Sequence, residues 1–275
     1  MRIVTKIIHH LVIIALLFLL LLPFYLMIIN SLKVTPEISS HPFAFPGSAN
    51  AMLYVGAYKE AWQLVSKFIL NTVIIAALEI FGVVLFSSMA AYGFTRFRFK
   101  GKELLFTVFL SFMMIPGILT LASQYSLVYT GLNLRQSIAG VVLPAIAGGM
   151  PVNIFLIKTF FSGVPDSLFE AAEIDGASHM RRYFTFALPL CMPILFTIGL
   201  STLMGAWNDV IWARLILQGK AELYTISVGV FVRIGSSNKS LMYAAYTIAS
   251  LPLVLAFALT SKQFIKGLTN GAIKM

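Results

Sequence analysis

The chain has 275 residues, of which 59% are hydrophobic and 11% charged, and its mean hydropathy is +0.90. Soluble domains carry about a quarter charged residues, so this chain has too little polar surface to cover itself in water and reads as a membrane protein. Twenty Lys and Arg against ten Asp and Glu give a net charge of +10, which in a multi-span protein marks basic loops that set topology and lie near anionic headgroups, not a nucleic-acid partner. One cysteine, Cys191, excludes an internal disulfide framework, and four histidines leave little for a metal cluster.

A span needs about 20 mostly apolar residues. The first candidate, 7–29, follows Arg2 and Lys6 as a signal peptide would, but the run is too long and no small-residue cleavage site follows it. It reads as a retained helix. Next comes a long polar stretch, 31–67, in which Pro36, Pro42 and Pro46 favour extended chain. Within it, Leu53, Ala57, Ala61 and Leu64 return at helical spacing, which predicts a short helix lying along the membrane surface.

Further spans follow at 68–93, 104–125, 137–160, 189–213 and 241–264. The fourth is interrupted by Pro144, Gly148, Gly149 and Pro151, which membrane helices tolerate where neighbours satisfy the freed carbonyls. Six helices put both termini on one side, with Arg2, Lys6, Arg96, Arg98, Lys100, Lys102, Lys158, Arg181, Arg182, Lys262, Lys266 and Lys274. Four of these crowd the short loop 96–102, so that side is expected to be cytoplasmic. The segment 214–240 then forms an external polar loop.

Between spans four and five lies Val164-Pro165-Asp166-Ser167-Leu168-Phe169-Glu170-Ala171-Ala172-Glu173-Ile174-Asp175-Gly176-Ala177. Pro165 starts a helix, Ser167 and Glu170 have the spacing of a capping box, and Gly176 suits a left-handed helix stop. A second helix from Ser178 to Pro189 follows. Glu170 could simply cap its own helix; alternatively the exposed helix, with small Ala171 and Ala172 on its surface, docks in a groove of a soluble partner.

Glu170-Ala171-Ala172, then Gly176, then Phe186-x-Leu188-Pro189, resembles the Glu-Ala-Ala loop of permease subunits in binding-protein-dependent ABC importers. Phe186 stands where that family usually has an aliphatic residue. Asn30-Ser31-Leu32-Lys33, Ala91-Tyr92-Gly93-Phe94-Thr95-Arg96, Met114-Ile115-Pro116, Trp207-Asn208-Asp209 and the tail 267–274 look like the carbohydrate-type, maltose-transporter-like branch. The resemblance covers nearly the whole chain.

It implies an all-α, type I importer fold: residues 1–67 as the first span and an extracytoplasmic loop, 68–264 as a five-helix core with its two-helix coupling loop at 164–189, and 265–275 as a cytoplasmic tail. It further implies a half-pore that pairs with a second permease subunit and stands on two cytoplasmic ATPase subunits. An extracytoplasmic solute-binding protein would deliver a sugar or oligosaccharide. Glu170, Ala171, Ala172, Asp175 and Gly176 would then form the coupling helix, and Gly267, Gly271 and Lys274 would lie in the tail that reaches the ATPases. A polyol or glycerol-phosphate permease is the alternative within the class, and an ion-coupled secondary transporter the alternative outside it.

The chain has no Gly-x-x-x-x-Gly-Lys-[Ser/Thr] phosphate cradle, so ATP and Mg are expected on the partner ATPases and no cofactor on this chain. No convergent catalytic set of residues is evident, so it is not expected to be an enzyme. Glu79 falls inside an apolar span, where an ionisable group is a functional candidate by default. Asn153, Asn208 and Asp209 join it as candidates for the substrate path. Trp207 and Trp212 fit an interfacial aromatic belt or a stacking surface for a sugar ring.

Overall fold

The computed structural model describes residues 2–47, 51–234 and 238–272, and among the described residues every regular element is helical. Their order is α1 (Arg2–Ser31), α2 (Thr35–Ser40), α3 (Ala51–Arg96), α4 (Lys102–Phe112), α5 (Gly117–Tyr125), α6 (Ile138–Phe161), α7 (Asp166–Ile174), α8 (His179–Arg182), α9 (Leu188–Leu190), α10 (Met192–Asn208), α11 (Ile211–Leu217), α12 (Ile226–Arg233) and α13 (Lys239–Ala272). By length and composition, four helices can cross a membrane alone, at Thr5–Ser31, Gly56–Arg96, Ile138–Phe161 and Lys239–Lys262. Two bent helix pairs bring the number to six if each pair is one span.

The bends fall on the third and fifth predicted spans, which are therefore not straight. Lys102–Phe112 and Gly117–Gly131 meet at 91°. There Pro116 is extended (φ −60, ψ 125) and pushes the preceding residue out of the helical region. His179–Leu190 and Met192–Asn208 meet at 74°. Pro189 and Pro193 stand four residues apart, so a bond that would cross the break at Cys191 has no donor. By contrast α6 runs unbroken through Pro144 and Pro151. Pro144 cannot donate to the Gly140 carbonyl, and the Trp212 indole Nε1 donates to that oxygen instead, at 3.2 Å. Gly140 is also required sterically: a Cβ there would lie 2.2 Å from the Leu134 carbonyl oxygen.

The chain divides into two units, one of Met1–Ile69 with Gly229–Pro252, the other of Leu70–Val228 with Leu253–Met275. In the first, the apolar side chains of α1 from Ile7 to Phe24 are largely exposed, as suits a helix meant for hydrocarbon. The polar stretch after α1 is organised by Lys33, which is fully buried. Its Nζ donates to Asn30 Oδ1 (3.1 Å) and to the carbonyls of His41 (2.9 Å) and Pro42 (3.2 Å). The second unit packs around Ile75, Val83, Val141, Ile154, Ile157 and Ile198.

Two sequence expectations need correction here. The surface helix within 50–66 is not separate, because α3 continues without a break from Ala51 to Arg96. The stretch 214–240 is not an open polar loop: the end of α11 and all of α12 lie in it, and Ile216, Leu217, Ile226, Val228 and Val230 are buried. Gly235–Ser237 of that stretch lie outside the described residues.

Candidate functional site: an exposed helix between spans and a cavity inside them

The helix α7 starts at Asp166 with Pro165 at the cap position and no side-chain capping bond, so Ser167 and Glu170 do not form the expected box. Its C-terminus follows the sequence. Gly176 adopts φ +75, its N–H donates to the Glu173 carbonyl (2.9 Å), and the Ala177 N–H donates to the Ala172 carbonyl (2.9 Å). This is the paired Schellman arrangement. A second helical stretch then opens at Ser178, whose Oγ accepts from the Arg181 N–H (3.3 Å), and runs through α8 and a π-helical turn, Tyr183–Ala187, to α9.

One side of α7 is turned inward, with Phe169 and Ala172 each 5% exposed. The other side presents Glu170, Ala171, Asp175 and Gly176, all exposed, and Ile174 at 87% exposure. The predicted group therefore splits: Ala172 belongs to the packed side and the other four to the open surface.

Two arginines hold α7 in place. Arg96, the last residue of α3, pairs with Asp166 and lies over the Phe169 ring with its guanidinium carbon 3.8 Å from the centroid. Arg182 is 6% exposed, and its Nη1 donates to Glu173 Oε2 at 2.7 Å. Beneath them Tyr92 packs edge-on against Phe97, Phe161 and Tyr183 at 6.0, 6.2 and 5.4 Å. The Tyr183 hydroxyl shares a 2.7 Å hydrogen bond with Ser88. From sequence, Arg182 counts only as a topology signal, and Arg96 as that and as part of a family-like stretch. The nearest hint of this role is Phe169, the one aromatic residue of α7.

The polar candidates within the spans separate into two groups. Glu79 and Asp209 line one cavity of about 330 Å³, together with Gln124, Thr202, Trp212 and Pro144. Asn153 and Asn208 do not join them: each amide donates back along its own helix, to Gly149 (2.9 Å) and Met204 (2.8 Å). Trp207 is 5% exposed and is neither an interfacial belt residue nor an open stacking surface. Gln124 and Thr202 carry no sequence signal, since short polar residues are ordinary in long helices. Of the tail residues, Gly267 and Gly271 fall on α13, and Lys274 lies outside the described residues.

A family model described as "Binding-protein-dependent transport system inner membrane component" matches residues 82–269. The melibiose/raffinose/stachyose import permease protein MelC of Bacillus subtilis is 33% identical over 258 residues, covering 92% of this chain and 91% of that protein. The maltose/maltodextrin transport system permease protein MalG of Salmonella typhimurium is 33% identical over 214 residues, 74% of this chain and 71% of its own length. Among solved structures, a chain of a bacterial ABC transporter involved in import of the acidic polysaccharide alginate shares the fold. Its TM-score is 0.80 at 18% identity, over 95% of this chain and 96% of that one.

Proposed function

Because the chain belongs to the family of binding-protein-dependent transport system inner membrane components, we propose that it is the permease subunit of an ATP-driven importer carrying a sugar or oligosaccharide. Relatives named for melibiose, raffinose, galactooligosaccharides and maltodextrins support that substrate class. The chain forms half of a pore with a second permease subunit and rests on two ATPase subunits, which bind ATP and Mg. An extracytoplasmic binding protein brings the sugar. Both termini are cytoplasmic, as the basic loop 96–102 favours, and the tail 265–275, with Gly267, Gly271 and Lys274, runs toward the ATPases.

The observation that carries this reading is the two-sided character of α7. Its inner face is fixed by Phe169, Arg96 and Arg182, while Glu170, Ala171, Ile174 and Asp175 project with none of the described residues over them. An apolar side chain left 87% exposed between acidic neighbours fits a groove on a soluble partner. Closure of the ATPase pair on ATP would move α7, and its packing on α3 would pass the motion to the spans as alternating access.

Glu170→Lys tests the coupling role, because it reverses a charge on the free face without touching the buried one. The variant should insert normally yet lose uptake and ATPase association in membrane vesicles. Wild-type uptake together with wild-type association would refute the role assigned to α7.

A further inference from the structure

The cavity inside the second unit holds a carboxyl group with nothing to bond. Glu79 is 5% exposed, yet among the described residues no donor reaches its oxygens. An unpaired carboxyl within a span costs several kcal/mol unless something polar meets it. Asp209, on the same wall, differs: Oδ1 accepts from the Trp212 N–H (3.0 Å) and Oδ2 from the Ala213 N–H (3.1 Å), so both oxygens hold the first turn of α11. That turn in turn fixes the Trp212 indole on the Gly140 carbonyl. The wall of the cavity is thus locked from behind, and Glu79 is the acceptor left facing the space.

The rest of the lining has a definite chemistry. The Gln124 amide and the Thr202 hydroxyl offer donors and acceptors, while Val83, Leu121 and the Trp212 ring provide apolar surface. The charged side chains on the wall are Glu79 and Asp209, and it carries no Lys or Arg. A volume of about 330 Å³ is at the lower end for small-molecule sites, suited to one ring of a saccharide and not to a length of chain. A sugar ring matches such a lining, since its hydroxyls pair with carboxyl and amide groups and its C–H faces pack on apolar walls. A uronate or phosphate group would instead find two acidic side chains and no cation to pair with.

Resting on the reading of the chain as a sugar permease, we propose that this cavity is a substrate subsite for one residue of an uncharged sugar, with Glu79 as the group that binds its hydroxyls. The wall offers no cation to pair with the charge of an acidic or phosphorylated saccharide, and so selects against them.

The test uses the whole importer, with its partner permease, ATPases and binding protein, in proteoliposomes. Maltose, melibiose and raffinose serve as neutral probes, and digalacturonate and glucose 6-phosphate as acidic ones. For the neutral sugar that is carried, Glu79→Ala should lower kcat/KM for uptake about tenfold, roughly what one lost hydrogen bond is worth. Glu79→Gln, which keeps hydrogen-bonding capacity, should recover most of that loss. Stimulation of ATP hydrolysis by the binding protein should stay within about twofold in both, since assembly does not depend on this hydroxyl contact. Neutral uptake unaffected by Glu79→Ala, equal losses in the two variants, a parallel fall in stimulated ATP hydrolysis, or wild-type import of an acidic probe overturns the subsite while leaving the sugar permease standing. Import of no saccharide, with another solute class carried instead, overturns the permease reading itself.

Discussion

Replacing Arg96 by Gln removes the main fastening of α7 to the end of α3 while leaving the exposed face of α7 untouched. Two interactions are lost. The pair with Asp166 is only half sheltered, because the arginine side chain is 11% exposed and the aspartate 80%, and partly exposed pairs are worth about 1 kcal/mol at most. The guanidinium over Phe169, at 3.8 Å on a ring that is 5% exposed, is desolvated enough to contribute about 1–2 kcal/mol. Together they give about 2–3 kcal/mol, or roughly 30- to 150-fold in the equilibrium between a held and a released α7. Hydrogen exchange in the assembled importer should therefore speed up by about that factor over residues 166–177. ATP hydrolysis should become less dependent on the binding protein, as motion of α7 ceases to reach α3. Asp166→Asn, which keeps the ring contact, should show only about fivefold faster exchange. Unchanged exchange and an unchanged ratio of transport to ATP hydrolysis in the Arg96 variant would show that α7 is held by its other contacts alone.

Gly176 tolerates a side chain poorly for conformational reasons, since space around it is open but φ is +75; Gly176→Val should destabilise the helix stop by about 1–2 kcal/mol and lower uptake, whereas Gly176→Asn, which accepts the left-handed region, should retain most of it. Trp212→Phe leaves the Gly140 carbonyl without its donor, at a cost of about 1–3 kcal/mol, read as a lower melting temperature of the purified permease in detergent. Lys33→Met strips three acceptors of their donor, and limited proteolysis within 34–47 should accelerate about tenfold. Burial pulls the Lys33 ammonium below its usual pKa, with the Glu37 carboxylate partly opposing. The cost of its charge is thus present at neutral pH and lifts as pH rises through the lowered value, so wild type should gain protection in alkali and the Met variant should not.

Much of the architecture was legible because hydrocarbon imposes a simple rule on sequence. Apolar runs of span length identified the crossings, and Gly176 marked the end of α7 by its own conformational freedom. The departures arise where a local pattern competes with a distant partner. The boundary drawn at Lys67 fails because Lys67, like Lys59 and Glu60 before it, does not break a helix, so α3 continues through them. Pro116 bends a span and Pro144 does not: Pro116 is extended at the break, whereas Pro144 stays inside α6, where Trp212 takes up the carbonyl it frees. Asp166, which carries no signal of a distant partner in the sequence, pairs with Arg96 at the end of α3. In the cavity, Glu79 announced itself as a charge in an apolar run, but that it faces Asp209 and not Asn208 depends on which side of α10 turns inward.

The bond from Trp212 to the Gly140 carbonyl also bears on how the protein is made. When the fourth span enters the bilayer its proline has already opened a gap in the helix ladder, and the indole that fills it has yet to be synthesised. An unmet carbonyl in hydrocarbon is costly enough to hold that segment near water or the insertion machinery. Full burial of the Gly140 end of the fourth span is therefore expected only once α11 is in place, which would tie the middle of the protein to the emergence of its fifth crossing.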